Sequence, residues 1–455
     1  MNIINPATEE IITTLQEDSI ASIEEKYHRV RQGQADWYAT LLSERLAAIR
    51  QFSELLTTEA DELAQTLTSE MGKPLNQAHN ELKGAQGRIQ YFLENAERWL
   101  ADEVVREEAG LSEKIVFEPL GVIANISAWN YPYLVGVNVF VPALLAGNGV
   151  LYKPSEYTTL TGQKIGALLH EAGVSQDAFQ VVVGGKEAGQ ALLNLPLDGY
   201  FFTGSYRTGK SIYEAVAPRM VPCQLELGGK DPLYVSDDNA NLAKVAQAAA
   251  EGAFYNNGQS CCAVERIYVH QAVYDQFLEA FVQEVKQLKL GNPVEEGVFV
   301  GPLARKEQVS TLEQQVQDAI DQGAQLRTGG QRARREGYYF EPTVLTDVHH
   351  EMQVMKEESF GPVIGVQRVT DDEEAVFLMQ DTDYGLTAAV YSDTQERAEE
   401  ILAKINTGSA YWNCCDRVSA TLPWSGRGHS GIGTTLSYLG IRAFTKPKAY
   451  HLRKG

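Results

Sequence analysis

Residues 121–152, GVIANISAWNYPYLVGVNVFVPALLAGNGVLY, consist of two short apolar runs on either side of a helix-length segment. Gly121–Ile126 and Gly149–Tyr152 have the length and the β-branched content of buried strands. The segment between them is apolar enough to resemble part of a membrane span, but Asn138 and Pro142 favour a buried helix that leads into a strand. A strand, a helix and a strand in this order predict a parallel βαβ unit.

The alternation of strands and helices continues along the chain. Toward the C-terminus, the patterns predict strands at Gln180–Val183, Leu233–Val235 and Arg266–Val269, and helices at Leu160–Ala172 and Leu242–Phe254. Toward the N-terminus, helical spacing extends from Ser19 to Leu100 with a break at Gly72-Lys73-Pro74. A second alternating region follows Glu226 and runs to about Asp416, and Phe444–Leu452 predicts a terminal strand of the kind that often pairs with a partner subunit. We therefore expect an α/β fold with doubly wound parallel sheets.

The composition is that of a globular protein, with 44% hydrophobic and 22% charged residues among 455. This length predicts about two to four lobes. The formal net charge of −21 repels phosphate backbones and anionic lipid, so we expect neither nucleic acid nor a membrane as a partner. The N-terminus has neither the basic start nor the apolar core of a secretory signal.

The five cysteines are Cys223, Cys261, Cys262, Cys414 and Cys415. An odd number that contains two adjacent pairs is a poor disulfide framework and fits the reducing cytoplasm, where we expect the protein. The eight histidines have no metal-ligand spacing with these cysteines or with each other, so we predict no metal.

One cysteine follows a Gly-Gln turn in the stretch Phe254-Tyr-Asn-Asn-Gly-Gln-Ser-Cys261. At the end of a helix-length apolar run, Cys261 can face a cleft, where its thiolate would be the nucleophile of covalent catalysis. The alternative is a buried structural cysteine, because free cysteine is among the most buried residue types.

A lone carboxylate stands among apolar residues and before two glycines in Gln224-Leu-Glu226-Leu-Gly-Gly-Lys230. Burial would raise the pKa of Glu226 toward neutrality, as a general base requires. The alternatives are an ion pair with Lys230 and an exposed strand end.

Three further motifs follow predicted strands. Asn130 can donate its amide N–H to a developing oxyanion, or simply form a turn. Lys153 and Glu156 can hold the hydroxyls of a ribose, or belong to a solvated loop. The glycine-rich stretch Phe202–Lys210 opens a helix and leaves N–H groups for a diphosphate. It also satisfies the pattern of a nucleotide phosphate loop, but no acidic magnesium-binding strand follows it.

In this order the motifs resemble those of the aldehyde dehydrogenase superfamily over nearly the whole chain. The motifs are Trp129-Asn130, Lys153–Glu156, Phe202–Ser205, Glu226–Gly229, Gly258–Cys261 and Glu358–Pro362. The resemblance implies two doubly wound Rossmann-like domains plus a small β oligomerisation element, and a homodimer or homotetramer. It assigns residues 1–110 and 128–225 to a cofactor-binding domain, 226–420 to a catalytic domain, and 111–127 and 435–455 to the oligomerisation element.

The resemblance also implies roles for single residues. Cys261, and not Cys262, is the implied nucleophile, Glu226 the base that activates the hydrolytic water, and Asn130 with the Cys261 backbone N–H the oxyanion hole. The implied reaction is the NAD(P)-dependent oxidation of an aldehyde to the carboxylic acid through a thiohemiacetal and a thioester. The implied cofactor-binding residues are Trp129, Lys153, Ser155, Glu156, Gly184, Thr203, Gly204, Ser205, Leu227, Gly228, Glu358 and Phe360.

The choice of cofactor depends on Glu156. A carboxylate that accepts from a ribose hydroxyl would repel a 2′-phosphate, so Glu156 favours NAD over NADP, although Lys153 or Lys186 can offset this. The family pattern is not followed everywhere. The spacing from Glu226 to Cys261 is one residue longer, and Leu422–Gly426 replaces a Pro-Phe-Gly-Gly segment at the substrate entrance.

The substrate pocket implied by the resemblance contains Tyr131, Asn138, Tyr255, Arg417, Ser419 and Trp424. Asn138 and Tyr255 stand where relatives that resemble succinic semialdehyde dehydrogenase have arginines, whereas Arg417 with Ser419 offers a different anionic anchor. Together with Tyr133 and Trp412, the aromatic residues favour an uncharged or cationic aldehyde over a semialdehyde acid, since an aromatic face attracts a cation by about 0.5–2 kcal/mol.

Other interpretations stay open. CoA-acylating relatives generally lack the water-activating glutamate, so Glu226 counts against that activity. A cofactor-binding oligomer with a retired site is disfavoured by intact Cys261, Glu226 and Asn130. Cys262 can either trap an oxidised Cys261 as a disulfide or be a packed bystander, and the strain of vicinal disulfides favours the bystander.

Overall fold

The computed structural model describes residues 1–454. An antiparallel hairpin and four helices form the first hundred residues: β1 (Asn2–Ile4), β2 (Ile11–Thr14), α1 (Ile20–Ala39), α2 (Leu42–Thr58), α3 (Ala60–Met71) and α4 (Leu75–Leu100). The helices confirm the helical spacing of residues 19–100. The predicted break separates α3 from α4, because Gly72 adopts a left-handed φ of 81° and Pro74 immediately precedes α4.

Strands and helices alternate over the next segment. The elements are β3 (Glu103–Glu108), β4 (Leu111–Pro119), β5 (Val122–Ile126), α5 (Pro132–Leu145), β6 (Gly149–Lys153), α6 (Thr159–Glu171), β7 (Phe179–Val181), α7 (Lys186–Asn194), β8 (Gly199–Thr203), α8 (Tyr206–Val216) and β9 (Cys223–Glu226).

A second alternating region follows Glu226. Its elements are β10 (Pro232–Val235), α9 (Leu242–Phe254), β11 (Arg266–His270), α10 (Tyr274–Gln287), α11 (Lys306–Asp321), β12 (Gln325–Thr328), β13 (Thr343–Thr346), α12 (Gln353–Lys356), β14 (Val363–Val369), α13 (Asp372–Gln380), β15 (Tyr384–Gly385), β16 (Thr387–Tyr391), α14 (Gln395–Leu402), β17 (Ser409–Trp412), β18 (Arg427–Gly428), β19 (Gly431–Ile432), α15 (Ser437–Arg442) and β20 (Thr445–Arg453).

The first sheet has six strands in the order β19-β9-β8-β5-β6-β7, and β5 to β9 are parallel. The chain runs outward from β5 to β6 and β7 and then returns to β8 on the other side of β5. The strand order therefore reverses between β5 and β8, where open α/β sheets bind ligands at the carboxyl ends of their strands.

The second sheet has seven strands in the order β12-β13-β14-β11-β10-β16-β17. All of its strand pairs are parallel except the pair of β12 with β13. The two sheets confirm the predicted doubly wound α/β architecture.

A third, antiparallel sheet has the order β20-β4-β3. Its last strand confirms the terminal strand predicted at 444–452, and it pairs with β4 of the same chain. The division predicted from the sequence does not coincide with the sheets at two strands. β5 lies inside 111–127 but belongs to the six-stranded sheet, and β3 lies inside 1–110 but pairs with β4. β3 and β4 form a hairpin that turns at Gly110, where φ is 82°. The antiparallel sheet therefore begins before residue 111.

The apolar segment after Trp129 is a helix, as predicted. Nearly every residue of α5 is buried, and the helix leads into the fully buried strand β6. Within residues 1–454, none of the helices is both long and apolar enough to cross a bilayer. The strand predicted at 180–183 ends earlier, at Val181, because the Val183 N–H donates to the carboxylate of Asp18 at 2.8 Å.

Candidate active site

The carboxyl ends of β5, β6, β8 and β9 carry most of the residues that the sequence predicted for the site. Trp129 and Asn130 follow β5, Ser155 and Glu156 follow β6, Gly204 and Ser205 follow β8, and Glu226 ends β9. Because the strand order reverses between β5 and β8, the turns after these two strands face one crevice.

The second sheet contributes the amino ends of its strands to the same crevice. Five residues, 227–231, join β9 to β10, Cys261 lies before β11, and Glu358 and Phe360 lie before β14. Contacts across the crevice join the two sheets. The Asn130 amide donates to the Gln259 carbonyl at 3.1 Å, and the rings of Trp129 and Phe360 are 5.4 Å apart.

A tight turn presents Cys261. Asn256, Asn257 and Gly258 all have positive φ (55°, 62° and 70°), and a Cβ at Gly258 would collide with the backbone of Gly361. Both asparagines are wholly buried and bind backbone groups, since Asn256 donates to Asn130 O at 3.1 Å and Asn257 to Pro302 O at 2.8 Å. The side chains thus fasten the turn to the segments that carry Asn130 and Pro302. This role of the Asn-Asn-Gly triplet was not predicted, although asparagine and glycine are the residues that tolerate such angles.

Asn130 is buried and firmly held. Its carbonyl accepts from Lys73 Nζ at 2.8 Å, and Lys73 forms a fully buried ion pair with Glu81. The ammonium group of Lys73 also lies 3.8 Å from the centre of the Tyr131 ring. Burial lowers the pKa of Lys73, and the negative charge of Glu81 opposes that effect. Lys73 and Glu81, which the sequence analysis did not single out as site residues, therefore fix the backbone that carries Asn130.

Glu226 is buried and lies outside the cavity that Cys261 lines. Its Oε1 accepts from Thr435 Oγ1 at 3.3 Å and from Gln224 Nε2 at 3.5 Å, while its buried Oε2 has no partner in residues 1–454. Burial raises the pKa of Glu226 to about 8, although these two hydrogen bonds lower it. The alternatives of an ion pair with Lys230 and of an exposed strand end are wrong, because Lys230 pairs with Glu265 at 2.6 Å.

A cavity of about 670 Å³ opens beside Cys261. Its walls come from α4, α5, α9, the turn at residues 260–262 and the segment at residues 413–424. Among the predicted pocket residues, Tyr131, Asn138, Tyr255, Arg417 and Trp424 line this cavity. Cys261 is half-buried there, and Cys262 is buried.

Three residues expected near the substrate do not line the cavity. Ser419 is exposed, and its hydroxyl pairs with Thr421 at 2.8 Å. Tyr133 is wholly buried within the core around α5, and the indole of Trp412 donates to the Ser392 carbonyl at 2.9 Å. The pairing of Arg417 with Ser419 as one anchor is therefore wrong, because only Arg417 faces the cavity.

Charged residues that the sequence analysis overlooked also line the cavity, namely Glu81, Arg88, Glu251 and Asp416. Asp416 Oδ1 accepts from Cys262 Sγ at 3.0 Å and from Ser260 Oγ at 3.1 Å. Burial raises the pKa of Asp416 to about 6, while these two bonds lower it. The neighbouring thiol of Cys261, together with burial, raises the pKa of Cys262 well above its ordinary value.

The other side of the crevice contains the residues predicted to bind a dinucleotide. Ser205 caps α8, and the preceding residues end β8 at the strand-order reversal, so the N–H groups in the first turn of α8 face the crevice, as a diphosphate site requires. Lys153 is buried, with its ammonium group 3.1 Å from the Pro154 carbonyl and 4.0 Å from the exposed Glu156. Gly184, with φ of 150°, lies in the turn before α7.

Glu358 packs directly over Gly228. A Cβ at Gly228 would overlap the Glu358 carboxylate, which accepts the Gly229 N–H at 3.1 Å. Burial raises the pKa of Glu358 to about 8. Leu227 is buried beside this contact. Because Gly228 has no side chain, the Glu358 carboxylate can occupy the space next to it.

The chain is similar in sequence and in fold to known proteins. The sequence model of the aldehyde dehydrogenase family matches residues 1–450. Aminoaldehyde dehydrogenase 2 of Pisum sativum is 35% identical, over 98% of this chain and 91% of that protein. Succinate-semialdehyde dehydrogenase [NADP(+)] of Deinococcus radiodurans is 36% identical, over 98% of this chain and 93% of that protein. The crystal structure of betaine aldehyde dehydrogenase from Staphylococcus aureus in complex with NAD+ superposes with a TM-score of 0.95 at 30% identity, over 99% of this chain and 91% of that one.

Proposed function

The chain belongs to the aldehyde dehydrogenase family, and from this premise we propose that it oxidises an aldehyde to the carboxylic acid, with NAD(P) as the hydride acceptor. The observation that carries the proposal is the half-buried Cys261, which faces a cavity of about 670 Å³ while the Asn130 amide binds the same turn.

Cys261 is the proposed nucleophile. Its thiol faces the cavity, whereas the neighbouring Cys262 is buried and donates to Asp416. A thiolate on Cys261 adds to the aldehyde carbon and forms a thiohemiacetal. Burial and the hydrogen bond keep Cys262 in its protonated form, which supports the assignment of Cys261 over Cys262.

Asn130 and the backbone of Cys261 are the proposed oxyanion hole. The Cys261 N–H has no acceptor in residues 1–454, and Asn130 Nδ2 uses one hydrogen for the Gln259 carbonyl, which leaves the other free. Both donors belong to a region that buried side chains hold rigidly. Such preorganised donors stabilise the charge that develops on the aldehyde oxygen.

Glu226 is the proposed general base for hydrolysis of the thioester. A carboxyl whose pKa is about 8 is protonated for much of the time at neutral pH and becomes a strong base once it ionises. Only two long hydrogen bonds hold its carboxylate outside the cavity, and the proposed role requires a side-chain rotation toward Cys261. Because this glutamate is present, we favour water over CoA as the thioester acceptor, and product analysis with and without CoA tests that choice.

The proposed cofactor site lies at the carboxyl ends of the first sheet. Lys153, Ser155 and Glu156 would meet the adenosine ribose, residues 203–205 the diphosphate, and Glu358 with Phe360 the nicotinamide end. A bound nicotinamide dinucleotide supplies the hydride acceptor. The exposed carboxylate of Glu156 favours NAD, since it would lie close to a 2′-phosphate of NADP.

A panel of aldehydes, assayed by NADH and NADPH absorbance, tests the activity. Wild-type protein is expected to oxidise at least one aldehyde with release of the acid, and Cys261→Ala is expected to abolish turnover. Cys223→Ala is the matched control, because it removes a thiol of β9 that does not line the cavity. Turnover that persists in Cys261→Ala, or that fails equally in Cys223→Ala, would contradict the proposal.

A further inference from the structure

Arg88 extends from α4 into the wall of the cavity without an anionic partner. The residue is 9% exposed, and it donates through Nη1 alone, to Leu134 O at 3.1 Å and to Asn138 Oδ1 at 3.0 Å. It forms no ion pair with residues 1–454, and its Nε and Nη2 have no acceptor there. A free guanidinium edge thus faces the cavity that Cys261 lines.

An unpaired charge in such a place is costly. A buried ion normally needs both an opposite charge and hydrogen bonds for its remaining protons. Burial lowers the pKa of Arg88 to about 10, so the side chain is still positive at neutral pH. The charge of the nearby Glu81 favours the positive form of Arg88, but Glu81 forms no ion pair with it, because Glu81 binds Lys73 and the Tyr133 N–H.

A glycine leaves room next to this edge. Gly84 and Gly87 of α4 both line the cavity, and a Cβ at Gly84 would lie 3.1 Å from the Leu134 side chain. A Cβ at Gly87 would meet nothing within 4 Å. The space beside Arg88 is therefore open to a ligand and is not filled by a neighbouring side chain.

We propose that Arg88 binds the carboxylate of an ω-oxo-carboxylic acid whose aldehyde carbon reaches Cys261. This inference rests on the proposed function and names its substrate class. The Nε and Nη2 edge of an arginine matches the two oxygens of a carboxylate. Asn138 stands where relatives that resemble succinic semialdehyde dehydrogenase have an arginine, and its side-chain oxygen accepts from the guanidinium of Arg88.

The competing occupant is an ammonium group held by Asp416 and the aromatic walls. Asp416 already accepts from Cys262 and Ser260 through Oδ1, so this oxygen is occupied by protein donors. Arg88, in contrast, has a whole edge without a partner. The carboxylate is thus favoured over the ammonium group, in contrast to the uncharged or cationic aldehyde that the sequence favoured.

The first test compares 4-oxobutanoate with its uncharged amide, 4-oxobutanamide, and with 4-aminobutanal. Arg88→Gln is expected to lower kcat/KM for the carboxylate about 100-fold and for the amide less than about threefold. Arg98→Gln, the same change at an exposed position of α4, is the matched control. Equal losses on all three aldehydes would overturn the proposal, because Arg88 would then act on Cys261 or on the fold. Wild-type preference for 4-aminobutanal over 4-oxobutanoate would also overturn it.

The second test does not depend on turnover. Succinate is expected to slow alkylation of Cys261 by iodoacetamide in the NAD-loaded wild-type protein, and succinamide is not. If Arg88→Gln folds, it is expected to lose this protection, and if it does not fold the wild-type comparison alone decides. Equal behaviour of succinate and succinamide overturns the role of Arg88 even where aldehydes are oxidised. Protection by succinate without any aldehyde oxidation would instead support the anion site and contradict the proposed function.

Discussion

The substitution Thr435→Val tests the proposed role of Glu226 as the general base. The Thr435 hydroxyl donates to Glu226 Oε1 at 3.3 Å and lowers the pKa of Glu226, which burial raises to about 8. A hydrogen bond worth about 1.4 kcal/mol shifts a titration by roughly one pH unit. Its loss therefore moves the ionisation of Glu226 to higher pH, because the charged form loses a donor.

The size of the effect follows from the fraction of Glu226 that is ionised. In the wild type, about half is ionised at pH 8, and the variant retains about a tenth. The rate of thioester hydrolysis at pH 8 should consequently fall about fivefold. Far above both titrations the two proteins should hydrolyse the thioester at similar rates.

Rapid mixing separates this step from hydride transfer. The burst of NADH reports formation of the thioester, and the following steady phase reports its hydrolysis when hydrolysis is slow. Thr435→Val should leave the burst amplitude intact and move the pH profile of the steady phase upward. Thr434→Val, the same substitution at the next residue, is the matched control. A steady-phase profile that does not move, or that moves equally in Thr434→Val, would refute the assignment of Glu226 as the titrating base.

Three further predictions concern the same machinery. Asn130→Ala should lower kcat about 10²–10³-fold with little change in KM, because it removes a donor needed mainly in the transition state, and steady-state kinetics measure this. Glu156→Gln should raise kcat/KM with NADP relative to NAD by about tenfold or more, since it removes a negative charge near the 2′-phosphate, whereas an unchanged ratio would contradict the ribose assignment. For Glu226 the folded pKa of about 8 exceeds the ordinary 4.5, so the folded state holds its proton more tightly and loses stability as pH rises through this window. At pH 7 the free energy of unfolding of Glu226→Gln should therefore exceed that of the wild type by an amount on the order of 3 kcal/mol, so the variant should unfold at a higher temperature. Near pH 4.5 the two proteins should unfold at similar temperatures.

The sequence predicted the first sheet well because its strands are short apolar runs with defined ends. Gly121–Ile126 and Gly149–Tyr152 agree with the observed strands within one residue. The residues that follow them lie at one edge of a parallel sheet, so the position of Asn130 and Glu156 was predictable from the strand ends alone. The roles of these residues came from the family resemblance and stay predictions.

The walls of the cavity were less predictable. Arg88 stands at helical spacing from the buried Ala85 and Phe92 of α4. The sequence alone does not show whether the guanidinium of such an arginine reaches solvent or a cavity, because the packing of α4 against α5 decides this. Asp416 reaches Cys262 through a loop in which its own φ is 48°, a conformation that no local pattern predicts. Ser419 was expected beside Arg417 as an anionic anchor and Trp412 as one of the aromatic residues near the substrate. The Ser419 hydroxyl instead pairs with Thr421, and the Trp412 indole at the end of β17 donates to the Ser392 carbonyl.

The central claim is that Cys261 forms a covalent bond to the substrate carbon during each turnover. Glu226→Gln protein, mixed with NAD and an aldehyde that the wild type oxidises and then quenched in acid, should accumulate the thioester. Mass spectrometry of the peptide that contains residues 261 and 262 should find the acyl group on Cys261. An unmodified peptide after a full burst of NADH, or an acyl group confined to Cys262, would contradict the account.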